Sequence, residues 1–271
     1  MGAMLATTKR GCAMIYDTIT ATTEGGVVVV TLNRPSVMNA LTSGLRHELL
    51  HAINHAAKTA RALVLTGSGR AFCSGQDLDD ATSLGAADFE RLLRDEYEPL
   101  LNAIYTCPIP TIAAVNGAAA GAGANLALAC DVVIAAQSAS FIQSFTRIGL
   151  IPDAGGTFWL PRQIGHPRAM GAMLFADKIT ASQAADWGMI YECIPDEDFT
   201  AHWHARAAHL AQGPTAAYAH LKHALRASHS NTLATQLALE ARLQGACGAT
   251  GDFAEGVAAF LEKRPAKFQG R

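Results

Sequence analysis

The sequence predicts an α/β protein whose C-terminal part is helical. Three observations support this fold class. Short β-branched segments and apolar stripes at helical spacing follow one another in the first half, in the order ββαβαβ. Residues 166–261 then consist mostly of helical segments. The chain has 271 residues, of which half are hydrophobic and 16% are charged, so it can bury a large core.

The first predicted elements are two strands and a helix. Residues 15–20 and 27–32 are β-branched, and the segment between them ends in Glu-Gly-Gly, which favours a hairpin turn because glycine accepts positive φ. Thr42 is a candidate N-cap for the segment that follows. That segment, residues 43–60, is predicted to be a helix because its apolar residues recur at helical spacing at Leu45, Leu49, Ile53 and Ala56.

The next segments continue the α/β order and then become helical. Further strands are predicted over residues 61–66, 111–116, 132–136 and 189–193. Further helices are predicted over residues 88–105, within 117–131 after a tight turn, and over 201–212, 215–227 and 232–247. We therefore expect an N-terminal tail of residues 1–14, an α/β core of residues 15–195 and a helical region of residues 196–271.

The composition excludes several classes of function. There are 21 Lys and Arg residues against 23 Asp and Glu residues, so the net charge of −2 offers no basic surface for nucleic acid or an anionic membrane. No run approaches 18 apolar residues. The six cysteines contain no CxxC pair, which is typical of reduced core cysteines. We expect a cytoplasmic protein that acts on a small molecule.

One motif indicates a metal site. The segment from His47 to His51 reads HELLH, in which two histidines one helical turn apart bind zinc and the glutamate serves as a base. On a helix, however, His47 lies about 200° from Leu45, so the histidines point away from the apolar stripe. We interpret the row as a solvated face and expect no metal. A zinc peptidase stays as an alternative that predicts stoichiometric zinc.

Two glycine-rich turns follow predicted strands, over residues 67–78 and 121–125. Neither is a phosphate-binding loop, because GxxxxGK[ST] is absent and the second turn lacks the full GxGxxG. Small residues let backbone N–H groups approach a ligand, and a helix N-terminus favours developing negative charge. The two turns could together form an oxyanion hole.

Four motifs occur in a specific order: LNRP with Asn39-Ala40-Leu41, then AFCSGQDL, then AAVNGAAAGAGANLALACD, then IGLIPDAGGT. Over about residues 15–265 the chain thus resembles the crotonase, or enoyl-CoA hydratase/isomerase, superfamily. The resemblance implies a spiral of ββα units and a helical trimerisation region, with a homotrimer or a hexamer of paired trimers. It also implies an acyl-CoA substrate, with coenzyme A as part of the substrate and no separate cofactor.

The resemblance also assigns roles to residues. The thioester oxygen would accept hydrogen bonds from the backbone N–H groups of Ser74 and Ala122. Ser74 as a nucleophile is the alternative, but no nearby motif supplies a His or Asp partner. Phe260 and Lys263, three residues apart, would share a helix face and reach a neighbouring subunit's coenzyme A. The implied substrate-binding residues are Ser36, Val37, Ala40, Gly75, Gln76, Asp77, Leu78, Asn125, Phe145, Phe260 and Lys263.

Two departures from the hydratases of this family bear on the reaction. Those enzymes place two glutamates about the attacking water, and the corresponding residues here are Asn125 and Phe145. Neither side chain can transfer a proton near neutral pH, so hydration by such a pair is disfavoured.

Asp153 is the remaining carboxylate with a claim on the site, where dienoyl-CoA isomerases of the family also carry a catalytic aspartate. The alternative is that Asp153 caps a helix beginning near Ala154. If Phe145, Phe158 and Trp159 close over the carboxylate, desolvation would raise its pKa and suit it to proton transfer. Asn125 would then orient substrate or solvent.

Residues 140–145, the segment IGLIPDAGGTFWLPR and residues 231–261 resemble the ring 1,2-epoxyphenylacetyl-CoA isomerases of aerobic phenylacetate degradation. Such enzymes rearrange a ring epoxide to an oxepin and can move a double bond of a 3-enoyl-CoA to give a 2-enoyl-CoA. The resemblance therefore implies a CoA-thioester isomerase with Asp153 as its acid and base. Two alternatives remain: an enoyl-CoA hydratase of generic specificity, and a non-catalytic relative that binds acyl-CoA or RNA.

Overall fold

A computed structural model of the protein describes residues 16–77 and 85–271, and two β-sheets lie at the centre of this part. The larger sheet contains, in spatial order, β1 (Ile19–Glu24), β2 (Val27–Leu32), β3 (Ala62–Gly67), β5 (Thr111–Val115), β7 (Val132–Ala136) and β10 (Glu192–Ile194). The smaller sheet contains β4 (Ala71–Cys73), β6 (Ala118–Ala120), β8 (Ser140–Ile142) and β9 (Ile179–Thr180). β1 is antiparallel to β2, and the other neighbours in the larger sheet are parallel.

The two sheets are built by repetition. Each of β3, β5 and β7 is followed after a few residues by a short strand of the smaller sheet, namely β4, β6 and β8. The chain turns between the sheets in very little space: a Cβ on Gly117 would lie 2.2 Å from the carbonyl oxygen of Arg70. This repeated pairing of a long and a short strand confirms the crotonase-type spiral that the motifs implied.

The helices surround the sheets, and the helix predicted over residues 88–105 is interrupted. They are α1 (Ser43–Thr59), α2 (Ala86–Leu92), α3 (Glu98–Tyr105), α4 (Ala122–Leu128), α5 (Gly156–Ile164), α6 (His166–Phe175), α7 (Ala181–Asp186), α8 (Asp196–Gln212), α9 (Thr215–Ala227), α10 (Leu233–Gly248) and α11 (Gly251–Leu261). The single helix predicted over residues 88–105 contains a π-helical segment, Leu93–Tyr97, between α2 and α3. Pro99 follows it and has no N–H for the carbonyl of Asp95, which disturbs the regular ladder at this point.

Helix α1 confirms its prediction. The Thr42 side chain accepts a hydrogen bond from the Leu45 N–H and caps the helix, and the apolar stripe is buried. Strand β1 begins later than predicted and includes residues that were assigned to the turn, so the turn shortens to Gly25 and Gly26, both with positive φ. Residue 15, where that strand was predicted to begin, lies outside the described residues, as does the predicted tail.

The smaller sheet was not predicted at all. Its strands have two or three residues, which is too short for a period of two to be recognised in a sequence. Helix α8 was predicted to begin at residue 201 but begins at Asp196, and its Phe199, Trp203 and Ala207 belong to the core that packs on the larger sheet. The core therefore continues past residue 195.

Helices α9 to α11 expose apolar side chains. Leu225 of α9, Leu237 of α10 and Phe260 of α11 are exposed, together with several neighbouring apolar residues. Within residues 16–77 and 85–271, no helix combines the length and the hydropathy needed to cross a membrane.

Candidate functional site

The two glycine-rich turns meet at Gly75, as the sequence suggested. A Cβ on Gly75 would lie 2.8 Å from the carbonyl oxygen of Ala120 and 3.4 Å from the backbone nitrogen of Ala122. Gly75 also has a φ of +95°, which side chains disfavour. Only glycine fits both requirements, so this residue determines how closely the turns approach each other.

Ala122 is the first residue of α4, so its N–H has no acceptor within the helix. The residue is buried, and it follows Gly121, whose positive φ redirects the chain from β6 into the helix. The aromatic ring of Phe145 lies 3.6 Å from the position of a Cβ on Gly121. This turn therefore presents a backbone donor close to the Phe145 ring and to the Ser144 hydroxyl, which lies 3.5 Å from the same Cβ position.

The structure contradicts the assignment of Ser74 as the second donor. Its N–H donates to the carbonyl of Met38 at 3.0 Å, and its hydroxyl donates to the carbonyl of Val37 at 3.4 Å. The hydroxyl bond also speaks against a nucleophilic serine, since a carbonyl cannot act as its base.

The peptide unit between Gly75 and Gln76 is held by its carbonyl. The Gly75 carbonyl accepts from the N–H of Leu41 at 2.8 Å. In a trans peptide the N–H points opposite to the carbonyl, so the Gln76 N–H points away from Leu41. Gln76, two residues after Ser74 in the same turn, therefore replaces Ser74 as the candidate second donor, because the direction of each peptide in a turn depends on its pairing with another segment.

Asn39 organises the first glycine-rich turn. The side chain is fully buried, accepts from the Arg34 N–H at 2.9 Å and donates to the carbonyls of Ser68 at 3.0 Å and Ala71 at 2.9 Å. It thereby binds the segment before α1 to the turn after β3. In the sequence, Asn39 stands out only as part of the first of the four motifs.

The expected coenzyme A channel is described in part. Ser36 and Val37 are exposed, whereas Ala40 is buried, so the side chain of Ala40 does not line an open surface. The Asp77 carboxylate pairs with Arg34 at 2.8 Å. Leu78 lies outside the described residues.

A buried polar network holds Gln76. Its side-chain oxygen accepts from Arg46 at 2.8 Å and from the hydroxyl of Tyr97 at 2.6 Å, and Arg46 also pairs with Glu96 at 2.8 Å. Arg46 is 1% exposed. Burial raises the pKa of Tyr97, so its phenol stays a neutral donor. The network ties the turn to α1 and to the π-helical segment.

Asp153 lies in a loop before α5 and is not a helix cap. The N-cap of α5 is Gly155, which has no side chain that could cap the helix. Within the described part of the chain, the Oδ1 atom of Asp153 is buried and has no hydrogen-bond partner. Desolvation raises the pKa of Asp153 to about 6. The structure thus contradicts the capping alternative and confirms the expected direction of the pKa shift.

Asp153 is one of the residues that line a cavity of about 380 Å³ between α3 and α5. Phe158 and Trp159 line it as expected, whereas Phe145 lies instead beside Gly121. Much of the opposite wall comes from the π-helical segment and α3. The lining residues are Leu93, Tyr97, Glu98, Leu101, Asn102, Tyr105, Asp153, Ala154, Gly155, Phe158 and Trp159.

Asn125 connects Asp153 to the turn at Ala122. It is fully buried, donates to the Asp153 carbonyl at 2.8 Å and accepts from the side chain of Gln143 at 2.8 Å. A Cβ on Gly156 would lie 2.5 Å from the Asn125 amide nitrogen, so the loop packs directly on this side chain. The expectation that Asn125 contacts substrate is therefore corrected: its amide contacts protein and positions the acidic loop.

Comparison with known proteins matches residues 22–271 to the family model described as enoyl-CoA hydratase/isomerase. The chain belongs to the enoyl-CoA hydratase/isomerase family. It is 65% identical to a probable enoyl-CoA hydratase of Rhodobacter capsulatus, over 95% of this chain and 100% of that one. It is 44% identical to the 1,2-epoxyphenylacetyl-CoA isomerase of Escherichia coli K12, over 92% of this chain and 97% of that one.

Solved structures agree with this family. A putative enoyl-CoA hydratase of Streptomyces coelicolor A3(2) matches with a TM-score of 0.90 and 36% identity, covering 99% of this chain and all of that one. A putative enoyl-CoA hydratase/isomerase of Mycobacterium abscessus matches with a TM-score of 0.89 and 36% identity, over 93% of this chain and all of that one. The crotonase fold is thus shown by sequence and by structure.

The glutamate of the HELLH segment, Glu48, makes structural hydrogen bonds to the backbone before β1. Glu48 accepts from the N–H groups of Asp17 at 2.8 Å and Thr18 at 2.9 Å, and from the Thr18 hydroxyl at 2.6 Å. Although burial opposes the shift, these bonds lower the pKa of Glu48. His47 and His51 are exposed, and no group of three metal-ligating side chains occurs in residues 16–77 and 85–271. Glu48 thus holds the segment just before β1 against α1.

Phe260 and Lys263 do not share a helix face. Phe260 is 83% exposed near the end of α11, which ends at Leu261. Lys263 lies beyond the helix with a φ of +53°, so the chain has already changed direction. The spacing argument fails because the helix ends between the two residues.

Tyr97 and Tyr105 were missed as site residues. They lie roughly fifty residues before Asp153 in the chain, and no local motif marks them. The one available signal was Pro99 inside a predicted helix, since a π-helical segment is frequent at functional sites.

Proposed function

We propose that this protein is an acyl-CoA isomerase that combines backbone donors with one carboxylate, Asp153. The observation that carries the proposal is that Asp153 lines an aromatic cavity while its buried Oδ1 atom has no hydrogen-bond partner within the described residues. A pKa of about 6 lets the group take a proton and return it near neutral pH.

In the proposed reaction, the thioester oxygen of a 3-enoyl-CoA accepts hydrogen bonds from the N–H groups of Ala122 and Gln76. These donors stabilise the negative charge that develops on that oxygen. Asp153 removes a proton from C2, the double bond moves to C2 and C3, and the same carboxyl group returns the proton to C4. No net oxidation occurs, so the reaction needs no redox cofactor.

The aromatic lining also suits a larger acyl group. Tyr105, Phe158 and Trp159 contact one another in edge and tilted geometries, with centroids 4.7 to 6.1 Å apart. This lining supports ring 1,2-epoxyphenylacetyl-CoA, the substrate class in the name of the Escherichia coli relative, as a second substrate to test.

A hydratase is the alternative, and two observations favour it. The Rhodobacter capsulatus relative is named a probable enoyl-CoA hydratase. A second carboxylate, that of Glu98, lies at the exposed edge of the cavity and could serve with Asp153 around a water molecule. Against it, the Asn125 amide is occupied by protein and Phe145 bears no proton.

The exposed apolar residues of α9 to α11 support a homo-oligomer in which another copy covers them. We extend the proposal to a trimer or a hexamer of paired trimers, as the family resemblance implies. Sedimentation of the purified protein tests this part separately from the chemistry.

The deciding experiment measures isomerisation of a 3-enoyl-CoA and hydration of a 2-enoyl-CoA in parallel. We expect isomerisation to dominate, and Asp153→Asn to lower its kcat by about 10² to 10⁴. The exposed Asp177, which does not line the cavity, provides the control Asp177→Asn with little expected change.

Hydration that dominates and collapses in Glu98→Gln would establish the two-carboxylate hydratase instead. An unimpaired Asp153→Asn enzyme would remove Asp153 from the chemistry under either reaction. Binding of acyl-CoA without turnover of either substrate would leave a non-catalytic relative.

A further inference from the structure

A second cavity lies directly beside the Asp153 cavity. It has a volume of about 390 Å³, and its walls come from the end of α4, the start of β7, α5 and α9. Among the described residues, only Tyr105, Phe158 and Trp159 line both this second cavity and the Asp153 cavity. These three residues therefore separate the two cavities.

The three aromatic rings of this partition, which we call the ring cluster, contact one another. The ring centroids of Phe158 and Trp159 lie 4.7 Å apart. The Tyr105 ring lies 5.1 Å from the ring of Trp159 and 6.1 Å from the ring of Phe158. These distances are typical of favourable aromatic pairs, so the partition is a packed group of side chains.

Two arginines contact the ring cluster from the side of the second cavity. The Arg162 guanidinium group lies 3.7 Å from the centroid of the Phe158 ring. The Arg226 guanidinium group lies 4.2 Å from the centroid of the Tyr105 ring and pairs with Asp131 at 2.7 Å. Both arginines line the second cavity, and neither lines the Asp153 cavity. The rings of Phe158 and Tyr105 are therefore held in place from the second cavity.

The walls of the second cavity also provide apolar surface. Leu128 at the end of α4 and Leu221 of α9 are among its lining residues. Lys222 and Arg226 line it as well, but both charges are paired with Asp131, at 2.6 and 2.7 Å. A hydrocarbon chain that passed the ring cluster would therefore move from water onto apolar side chains, which is favourable.

We propose that Phe158, packed against Tyr105, closes the far end of the Asp153 cavity and thereby limits the length of the acyl group that the enzyme accepts. Phe158 is 37% exposed and is the most exposed member of the ring cluster, so its side chain can be shortened with the least loss of packing. Without its ring, the two cavities become continuous. This inference rests on the proposed function only in that the acyl group enters the Asp153 cavity.

Binding of saturated acyl-CoA thioesters tests the limit without turnover, because these ligands have no double bond to move. Calorimetry measures Kd for the even-numbered chains from butanoyl-CoA to dodecanoyl-CoA, on wild type and on Phe158→Ala. In wild type, affinity should rise about fourfold with each methylene group up to a limiting length and then stop rising. In Phe158→Ala the rise should continue beyond that length. Dodecanoyl-CoA should then bind the variant about tenfold more tightly than wild type, whereas butanoyl-CoA changes by less than about threefold.

Tyr191→Ala is the matched control. The Tyr191 ring is exposed and also lies beside an arginine, Arg206, but Tyr191 lines neither cavity. This variant should keep the limiting length of wild type. Thermal unfolding shows whether Phe158→Ala is folded, and Phe158→Leu repeats the test with a smaller loss of side-chain volume.

The same limiting length in wild type and in both Phe158 variants would overturn the proposal. So would a wild type whose affinity rises steadily up to dodecanoyl-CoA, because the ring cluster would then set no limit. Equal weakening of all chain lengths in Phe158→Ala would mean that Phe158 only supports the cavity wall.

These outcomes are separable from failure of the proposed reaction. A longer limit in Phe158→Ala, together with full isomerisation by Asp153→Asn, would keep the role of Phe158 and reject the chemistry. An unchanged limit together with an inactive Asp153→Asn enzyme would reject the role of Phe158 alone.

Discussion

Two regions of the proposed site differ in how their polar groups are bonded before a ligand binds. One is the pair of backbone turns at Gly75 and Ala122, and the other is the acidic loop at Asp153. At the turns, buried side chains such as Asn39 satisfy the surrounding carbonyls and hold the peptides in place. In the acidic loop and the first turn of α5, Asp153 Oδ1 and Trp159 Nε1 are buried without a partner in the described residues. In the first region the carbonyls around the turn are bonded, although the Ser68 hydroxyl has no partner in the described residues, whereas in the second the carboxyl Oδ1 and indole Nε1 atoms themselves are left unbonded.

This difference reflects the kind of group that each region presents. A backbone N–H keeps its charge distribution at any pH, so it needs only a fixed direction, which packing and glycine supply. A carboxylate must change its protonation state, so its pKa has to be shifted by removing water, and this costs stability. We therefore expect that activity depends strictly on the backbone geometry of the turns. We also expect that the buried carboxylate of Asp153 lowers the free energy of unfolding.

Apart from Asp153→Asn, the largest expected effect on activity is at the closest approach of the turns. Gly75→Ala would place a methyl group 2.8 Å from the Ala120 oxygen, so the turns must separate. We expect kcat/KM for isomerisation to fall by about 10² to 10³, as when an oxyanion-hole donor is lost.

Gly25→Ala is the matched control, because Gly25 also has positive φ but has nothing within 4 Å of an added Cβ. It should lower stability slightly and leave kcat/KM within about threefold of wild type. If both variants behave alike, backbone strain alone explains the loss and close approach is unimportant.

The next effect tests the link between the two regions. Asn125→Ala removes the donor to the Asp153 carbonyl and the acceptor for Gln143. We expect the free energy of unfolding to fall by about 1–3 kcal/mol and kcat to fall about tenfold, because buried partners are left unsatisfied and the loop shifts. Urea unfolding and steady-state kinetics measure the two effects.

Gln143→Leu separates these contributions, since it removes one bond to Asn125 but keeps the bond from Asn125 to the Asp153 carbonyl. It should destabilise the protein with a smaller loss of kcat. An equal loss of kcat in both variants would mean that Asn125 acts through general stability rather than by positioning Asp153.

The smallest expected effect concerns the free-energy cost of burying the Asp153 carboxylate. Its folded pKa of about 6 lies above the ordinary value of about 3.9, so the folded state binds more protons than the unfolded state between these values. Stability attributable to this group should therefore fall as pH rises from about 4 to 6. Asp153→Asn should gain about 1–2 kcal/mol at pH 8 and nothing at pH 4, as measured by urea unfolding.

Asp177→Asn again provides the comparison and should show no gain at either pH. Equal stability of wild type and Asp153→Asn at pH 8 would show that the carboxylate is well solvated. The contrast between the two regions would then disappear, although the catalytic role could still hold.

Several features could be read from the sequence because they depend on local interactions. Helix α1 was predicted from a Thr42 cap and a four-residue apolar spacing, and both are present. Strand β7 was predicted within its observed bounds for the same reason, since a short β-branched run between polar residues is a local signal. The family resemblance located both turns and Asp153.

Other features depended on distant pairing. The four short strands of the smaller sheet, the direction of the Gln76 N–H and the wall of Tyr97 and Tyr105 arise only when separate segments meet. The same holds for Lys263, which the end of α11 removes from the face of Phe260. Sequence spacing along a regular helix could not show where that helix stops.

The sequence by itself determined which residue types were available: a carboxylate at position 153, an amide at 125, an indole at 159 and glycines where two turns must touch. Only the tertiary structure decided their roles. It left the Oδ1 of Asp153 and the Nε1 of Trp159 unbonded within the described residues, and it bonded Ser74 and Asn125 to protein. The physical reason is that hydrogen-bond satisfaction and desolvation depend on all neighbours in space, whereas a sequence shows only neighbours along the chain.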